Sequence, residues 1–308
     1  IKSLKKAARQ TIGPELEKRI QIIVDTGLIE LKNDFKIYWN SCPIAKLCTG
    51  NDYLSPNFDL IVDDIVEPVQ KQKLYDYINN WLQNKINLVL KSLIDLKNLK
   101  DKNSSVKALA FQLYENNGVL KREQVSEYLK TLGQNERKIL RELGVKFGRY
   151  HVFLYQLIKP EAVYLRTLLW KNFHQKYNNI QPPTFGLNFL DDKENKNKSF
   201  MLLCGFEKFD SLFVRIDILE RLFMLIINSS ESKQNKEIKL IPEMLNLLGC
   251  SKDNFKKLLQ IMGYKIFDKE NETFFKYSPI KRFKKISKQK VSDENPFKVL
   301  KNLNLGKF

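Results

Sequence analysis

The amino-acid sequence predicts an α+β chain, mainly helical, on three observations. Apolar residues recur at i, i+3, i+4 and i+7 over several stretches, and short β-type runs bounded by Gly, Asn and Asp interrupt them. No segment repeats with a period of about 20 to 50 residues, which excludes a solenoid. The 308 residues correspond to about two domains, and 43% hydrophobic with 11% aromatic content is enough to build cores.

In chain order, Leu4, Ala7 and Ala8 and then Leu16, Ile20, Ile23 and Val24 fall at helical spacing. Pro14 opens the second of these helices and Gly27 closes it. Because the pattern is already running at Ile1, the chain reads as a piece of something longer. Phe35 to Trp39 and Pro43 to Cys48 predict a hairpin about Asn40-Ser41, followed by a polar turn at Gly50-Asn51-Asp52. Asp59, Asp63, Asp64 and Glu67 form the one acidic stretch. The intervening Leu60, Ile61, Val62, Ile65 and Val66 favour a solvated face over a set of metal ligands.

A helix is expected from Val69 to about Leu96, with Leu74, Ile78, Trp81, Leu82, Val89, Leu93 and Leu96 on one face and Lys85 snorkelling at its edge. Further helices are expected over Val106 to Glu115, Arg122 to Thr131 and Asn135 to Leu143, stopped by Gly118, Gly133 and Gly144. Val145 to Leu154 reads as one strand, and Pro160-Glu161 opens a helix carrying Ala162, Leu165, Leu168 and Leu169. A soft boundary lies between Gln181-Pro182-Pro183 and the charged Asp191 to Ser199 loop.

Beyond it come a helix near Phe200, two strands around Gly205 to Val214, and a helix from Ile216 to Ile227 on which Asp217 and Arg221 stand at i, i+4. Ser229 to Lys236 is a polar linker. Ile241 to Leu248 forms a helix, Ser251 caps the next, and Phe255, Leu258, Leu259 and Met262 line that one before Gly263 ends it. Tyr264 to Phe267 and Thr273 to Tyr277 then flank a Lys269-Glu270-Asn271 turn. Helix, turn, helix, hairpin is a winged-helix-like order, which serves nucleic-acid and protein contacts alike.

Charge supplies the first functional argument. Lys and Arg number 53 against 35 Asp and Glu, a formal charge of +18, which calls for an anionic partner, nucleic acid ahead of a merely solvated Lys-rich surface. From Ile280 to Phe308 nine cations face only Asp293 and Glu294, so this tail alone carries +7. Six of them, Lys281, Arg282, Lys284, Lys285, Lys288 and Lys290, lie within ten residues, interleaved with Phe283 and Ile286. Like-charged blocks of this kind serve as flexible interaction arms or stay as solvated tails.

The strand also interleaves Lys146, Phe147, Arg149, Tyr150 and His151, a mixture of cations for phosphate and rings for bases. Alternation would put Phe147, Arg149 and His151 on one face and Lys146, Tyr150 and Val152 on the other. The competing structural reading makes the aromatics core and Arg149 a structural cation. Lys146, Arg149, His151, Lys281, Arg282, Phe283, Lys284 and Lys285 are therefore the candidate nucleic-acid-binding residues.

No catalytic residue is expected. The chain has no G-x-x-x-x-G-K-[ST] loop, G-x-G-x-x-G, H-E-x-x-H or G-x-S-x-G. Its four cysteines form no C-x-x-C pair, so neither a metal site nor a cofactor is expected in the chain, and their usage fits a cytoplasmic compartment. No apolar run approaches a membrane span, the longest being Leu222 to Ile227, so a membrane partner is not expected.

Several blocks carry a family resemblance: Leu143-Gly-Val-Lys-Phe-Gly-Arg-Tyr-His-Val-Phe, Leu157-Ile-Lys-Pro160 and Leu168-Leu-Trp170. They are joined in order by Ile44-Ala-Lys-Leu47 with Gly50 and Leu54-Ser-Pro56, Ala108-Leu-Ala-Phe-Gln-Leu113 with Gly118-Val119-Leu120, Pro182-Pro183, Val214-Arg-Ile-Asp-Ile-Leu-Glu-Arg-Leu222, Leu248-Gly249 and Gly263-Tyr264. Together these resemble the C-terminal, post-motor region of bacterial DExH-box helicases related to the mitochondrial RNA-degradosome helicase. Tyr155 stands where relatives often carry proline, and no motor motif is present.

The resemblance implies an accessory, nucleic-acid-binding region of an ATP-dependent RNA helicase, with ATP and Mg²⁺ held by motor domains ahead of Ile1. It divides the chain into a helical connector from the motor over 1–30 and a helical domain with small β elements over 31–180. A second α+β part with the winged-helix-like unit follows over 181–278, then a basic flexible tail over 279–308. The implied partner is nucleic acid, RNA before DNA. Two rival readings stay open: a protein-interaction module that docks a nuclease or other partner, and an independent basic nucleic-acid-binding protein.

Overall fold

The computed structural model describes residues 14–15, 17–23, 28–62, 66–100, 104–192, 197–231, 237–269 and 272–278. It is a mixed α+β structure whose helices pack against four small antiparallel sheets.

Residues 17–23 are helical, with Ile20 and Ile23 buried, and lead into a four-stranded meander: β1 (Ile29–Leu31), β2 (Lys36–Trp39), β3 (Cys42–Asp52) and β4 (Ser55–Leu60). The expected β2–β3 hairpin forms about Asn40 and Ser41, both at positive φ as a two-residue hairpin turn demands. The polar turn expected at Gly50 to Asp52 is instead the end of β3. The Asp52 carboxylate accepts the Tyr114 hydroxyl at 2.9 Å and pairs with Lys97 at 3.4 Å, which holds the strand out to that point. Residues 63–65, and with them Asp63 and Asp64, lie outside the described residues.

The single helix expected from Val69 to Leu96 is two: α1 (Pro68–Val89) and α2 (Lys91–Lys97), broken at Leu90. Leu74, Ile78, Leu82, Ile86, Leu90, Leu93 and Leu96 are buried in one core with the meander, so the break leaves the apolar stripe intact. Lys85 reaches the edge of the stripe with its ammonium 5.6 Å from the Trp81 ring.

From residue 104 onward, one element order occurs three times. The first copy is α3 (Ser104–Glu115), β5 (Val119–Lys121), a 3-10 turn (Arg122–Val125), α4 (Ser126–Thr131), α5 (Gln134–Glu142), β6 (Val145–Phe147) and β7 (His151–Leu154). The second is α6 (Pro160–Phe173), β8 (Phe189–Asp191), α7 (Lys198–Leu203), β9 (Phe206–Phe209) and β10 (Leu212–Arg215). The third is α8 (Ile216–Glu231), β11 (Ile238–Lys239), α9 (Pro242–Leu248), α10 (Lys252–Ile261), β12 (Tyr264–Lys269) and β13 (Glu272–Tyr277). Each copy is a helix, a strand, one or two helices and a hairpin. In each sheet the last strand lies in the middle, in the orders β5-β7-β6, β8-β10-β9 and β11-β13-β12.

The copies also agree in detail. The helix before each hairpin ends at a glycine in the left-handed region, Gly144 at φ 90°, Gly205 at 86° and Gly263 at 89°. Each glycine N–H donates to the carbonyl three residues back, at 2.9, 2.9 and 3.0 Å. Its carbonyl accepts the N–H of the residue just past the hairpin, Tyr155, Ile216 or Ser278. Four residues before the glycine stand the fully buried Leu140, Met201 and Leu259, and directly after it the buried Val145, Phe206 and Tyr264. The glycines recur at intervals of 61 and 58 residues, longer than the repeat of a solenoid.

Two further expectations change here. Val145 to Leu154 is a hairpin with its tip at Gly148, Arg149 and Tyr150, so the predicted face alternation does not apply. Gly133, at φ −76°, begins α5 instead of ending α4. The copies pack on one another. β10 sends Leu212 and Val214 into the core of the third copy and Phe213 into a core shared with Val163 and Trp170 of α6. The fully buried Arg166 on α6 donates to the carbonyls of Asn117 at 2.7 Å, Leu157 at 3.1 Å and Leu203, joining the first copy to the second. Burial presses its pKa below the usual arginine value.

Candidate nucleic-acid interface

The start of α8 builds the site. Arg215 grips Asp217 with two hydrogen bonds, at 2.7 and 3.0 Å, in place of the expected Asp217–Arg221 pair. One turn further on, the Glu220 carboxylate accepts three successive backbone N–H groups of the β6–β7 tip: Arg149, Tyr150 at 2.9 Å and His151 at 2.9 Å. The tip is held from its other side by Arg122, whose N–H donates to the Tyr150 carbonyl at 2.8 Å and whose guanidinium donates to the Gly148 carbonyl at 2.7 Å. Gly148 allows this approach, because a Cβ there would stand 2.4 Å from the Glu220 carboxyl carbon.

Behind the tip lies a buried ionic cluster. The His151 ring, 2% exposed, places Nε2 at 2.9 Å from Glu207 on β9 and Nδ1 at 3.5 Å from Glu220. Glu207 in turn pairs with Lys121 on β5 at 2.8 Å. Burial opposes a charged imidazole, but the two carboxylates outweigh it and raise the pKa of His151 above its ordinary value. Burial likewise opposes the charge on Glu207 and Glu220. For Glu207 the His151 and Lys121 contacts prevail, and for Glu220 His151 and the three backbone donors do, so both pKa values fall.

Lys121, His151 and Glu207 of this cluster, together with Glu123, line a cleft of about 1120 Å³ to which all three copies contribute. Lys121, Arg122, Arg149, Lys208 and Lys276 supply cations, and Tyr150, Phe209, Phe223, Tyr264 and Tyr277 supply rings. The Arg149 guanidinium lies 5.5 Å from the Phe223 ring, which Tyr150 meets edge-on at 5.1 Å. Tyr277, 58% exposed, meets Tyr264 at 5.2 Å. Cations beside accessible rings can take phosphate and stack bases.

Of the residues proposed from sequence, Arg149 lines the cleft. His151 lies in its floor as part of an ion cluster, because both ring nitrogens face carboxylates. Lys146 is exposed on β6 and does not line the cleft, while its neighbour Phe147 is covered by Arg137 and Arg141, each 5.8 Å from the ring centroid. Lys281, Arg282, Phe283, Lys284 and Lys285 lie outside the described residues. Sequence reasoning missed Lys121, Arg122, Glu207, Lys208, Glu220, Lys276 and Tyr277. The one available signal was that two blocks of the helicase resemblance, Gly-Arg-Tyr-His and Ile-Leu-Glu-Arg, meet here through Glu220.

Cys204 and Cys250 are poor thiolate candidates, burial pushing their thiols up to about 12 and about 11. Among the described residues, no group of three His, Cys, Asp or Glu is placed to hold a metal ion, and no helix is long and apolar enough to cross a membrane. No protein family, curated protein or solved structure matches this chain.

Proposed function

We propose that this chain is the nucleic-acid-binding accessory region of an ATP-dependent RNA helicase. The observation that carries the reading is the cleft, whose lining from all three copies sets the exposed Arg149 and Lys276 beside the exposed ring of Tyr277. The copies support it further. The first and third read as winged-helix-like, with strand, two helices and hairpin in sequence and the last strand central, and the second as a shortened version. The helicase assignment rests on the sequence resemblance, two of whose blocks are in contact through Glu220. ATP and Mg²⁺ belong to motor domains in this reading, since the chain carries no phosphate-cradling loop. Four unpaired cysteines fit the cytoplasmic location that the reading implies.

The test is binding of a fluorescent oligoribonucleotide, followed by anisotropy across a series of salt concentrations. The expected result is affinity that falls with salt and is weakened by Arg149→Ala and Lys276→Ala, with the melting temperature of both variants unchanged. Absence of binding at low salt would favour the protein-docking module instead.

A further inference from the structure

We propose that the His151 cluster is a proton-operated latch on the β6–β7 tip: a proton on Nδ1 of His151 lets Glu220 grip the tip, and its loss loosens the wall of the cleft that carries Arg149. The latch stands whatever the cleft binds. It joins all three copies at one ring, since His151 on β7 belongs to the first, Glu207 on β9 to the second and Glu220 on α8 to the third.

A ring that is 2% exposed has little water to fall back on, so the protein itself must match each nitrogen. Nε2 lies 2.9 Å from Glu207, a hydrogen bond, and Nδ1 lies 3.5 Å from Glu220, an ion-pair contact. Imidazolium donates from both nitrogens and suits both carboxylates, whereas neutral imidazole carries one N–H and one lone pair. The shorter bond keeps its proton. The proton that leaves is therefore the one on Nδ1, and the lone pair it uncovers faces the Glu220 carboxylate.

Glu220 is the carboxylate on which the tip depends, since it accepts the N–H groups of Arg149, Tyr150 and His151. With imidazolium beside it, its charge is matched by a buried cation. Without that cation it meets a lone pair at the same distance, and turning toward solvent relieves the repulsion while giving up bonds to the tip. Glu207 keeps a cation in either state, because Lys121, across the sheet from His151, pairs with it at 2.8 Å. The other charged groups nearby do not pair with the ring: Arg122 is spent on the Gly148 carbonyl, and Glu123, Arg149 and Lys208 line the cleft. Burial holds the Tyr150 and Tyr264 hydroxyls above their usual range, so neither titrates with the histidine. Burial of His151 works against its charge, but the two carboxylates prevail, so the latch is closed below the ordinary 6.5 and opens as pH climbs through the raised value.

The experiment titrates the full chain from about pH 5.5 to 8.5, with ¹⁵N-labelled histidine for NMR and amide hydrogen exchange in parallel. Neutral His151 should carry its proton on Nε2, which the ring nitrogen shifts report, and His151→Gln separates its signals from those of His174. Over the same range the amides of Arg149, Tyr150 and His151, corrected for the intrinsic pH dependence of exchange, should lose at least about tenfold in protection. Paired amides of β12 and β13 should not change. Glu220→Gln keeps an acceptor for the tip and can donate to the bared Nδ1, so it should abolish the pH step.

Tip protection that holds constant while His151 titrates would overturn the latch, and so would a neutral ring with its proton on Nδ1. A ring that keeps one protonation state across the range, or a pH step that survives in Glu220→Gln, would overturn it as well. Should Glu220→Gln fail to fold, the two readouts on the natural protein decide the matter. No oligonucleotide enters the experiment, so its failure leaves the proposed function standing.

Discussion

Glu220 and Gly148 form a residue pair whose energetics can be separated. Removing the carboxylate in Glu220→Ala strands three backbone donors and leaves the His151 ring with Glu207 alone. The expected loss is about 2–4 kcal/mol of unfolding free energy in a denaturant titration. Gly148→Ala should cost about 1–3 kcal/mol, because the new methyl meets the Glu220 carboxyl group. In the Glu220→Ala background that second penalty should shrink by about 1 kcal/mol or more, a coupling that a double-mutant cycle measures. Strict additivity would show that the close approach carries no energy.

His151 gives the same cluster a signature in pH. Its folded pKa is raised, so its contribution is complete below the ordinary imidazole value of 6.5 and is lost as pH climbs through the raised value. Glu207 and Glu220 have lowered values, so theirs is present above the ordinary 4.5 and is lost as pH falls through the folded values. The cluster therefore stabilises most between about pH 4.5 and 6.5. His174, the other histidine, has its pKa lowered first by burial and then by Lys176, so its effect appears only on the acid side. Melting temperature measured against pH should decline above pH 6.5 in the natural protein, and that decline should be smaller in His151→Gln.

Among the elements, the three hairpins all depend on a helix that stops at a left-handed glycine. Gly144→Ala and Gly205→Ala should each cost about 1–2 kcal/mol, because alanine resists that backbone conformation. The two costs should be alike, since each new Cβ would stand at ordinary contact distance, 3.4 Å from Ile158 at Gly205 and 3.8 Å from Ser92 at Gly144. Equilibrium unfolding of both variants measures them, and a neutral Gly205→Ala would refute the role assigned to this stop.

For the whole molecule, charge and machinery set the expectations. Deleting residues 280–308 removes nine cations, and the slope of log affinity against log salt should flatten by about 0.7 for every phosphate that the tail neutralises on a single strand. The shortened chain should keep its cooperative melting transition, because the third copy closes at Tyr277 with Ser278 bonded back to Gly263. An unchanged slope would return the tail to a solvated or protein-docking role. Purified chain should show no RNA-stimulated ATP turnover, since the loop that cradles phosphates is missing from its sequence.

What the sequence determined by itself is local. The Asn40-Ser41 turn, the Ser251 cap, the glycine stop at Gly263 and the helix over 252–261 all follow from residues within a few positions of one another, where backbone preference and apolar spacing decide the outcome. Net charge, a sum over residues, needs no fold. The tertiary structure decided the rest. The hairpin tip at Arg149 looked like continuous strand because what shapes it is Glu220, about 70 residues away, and no local pattern records that partner. Glu207 lies on a half-buried strand that pattern alone leaves ambiguous, and only its meeting with His151 and Lys121 makes burying the carboxylate tolerable. The threefold recurrence was hidden because what recurs is a glycine conformation, a carbonyl's partner and two buried positions, which sequences as different as Leu-Gly-Val, Cys-Gly-Phe and Met-Gly-Tyr satisfy equally well.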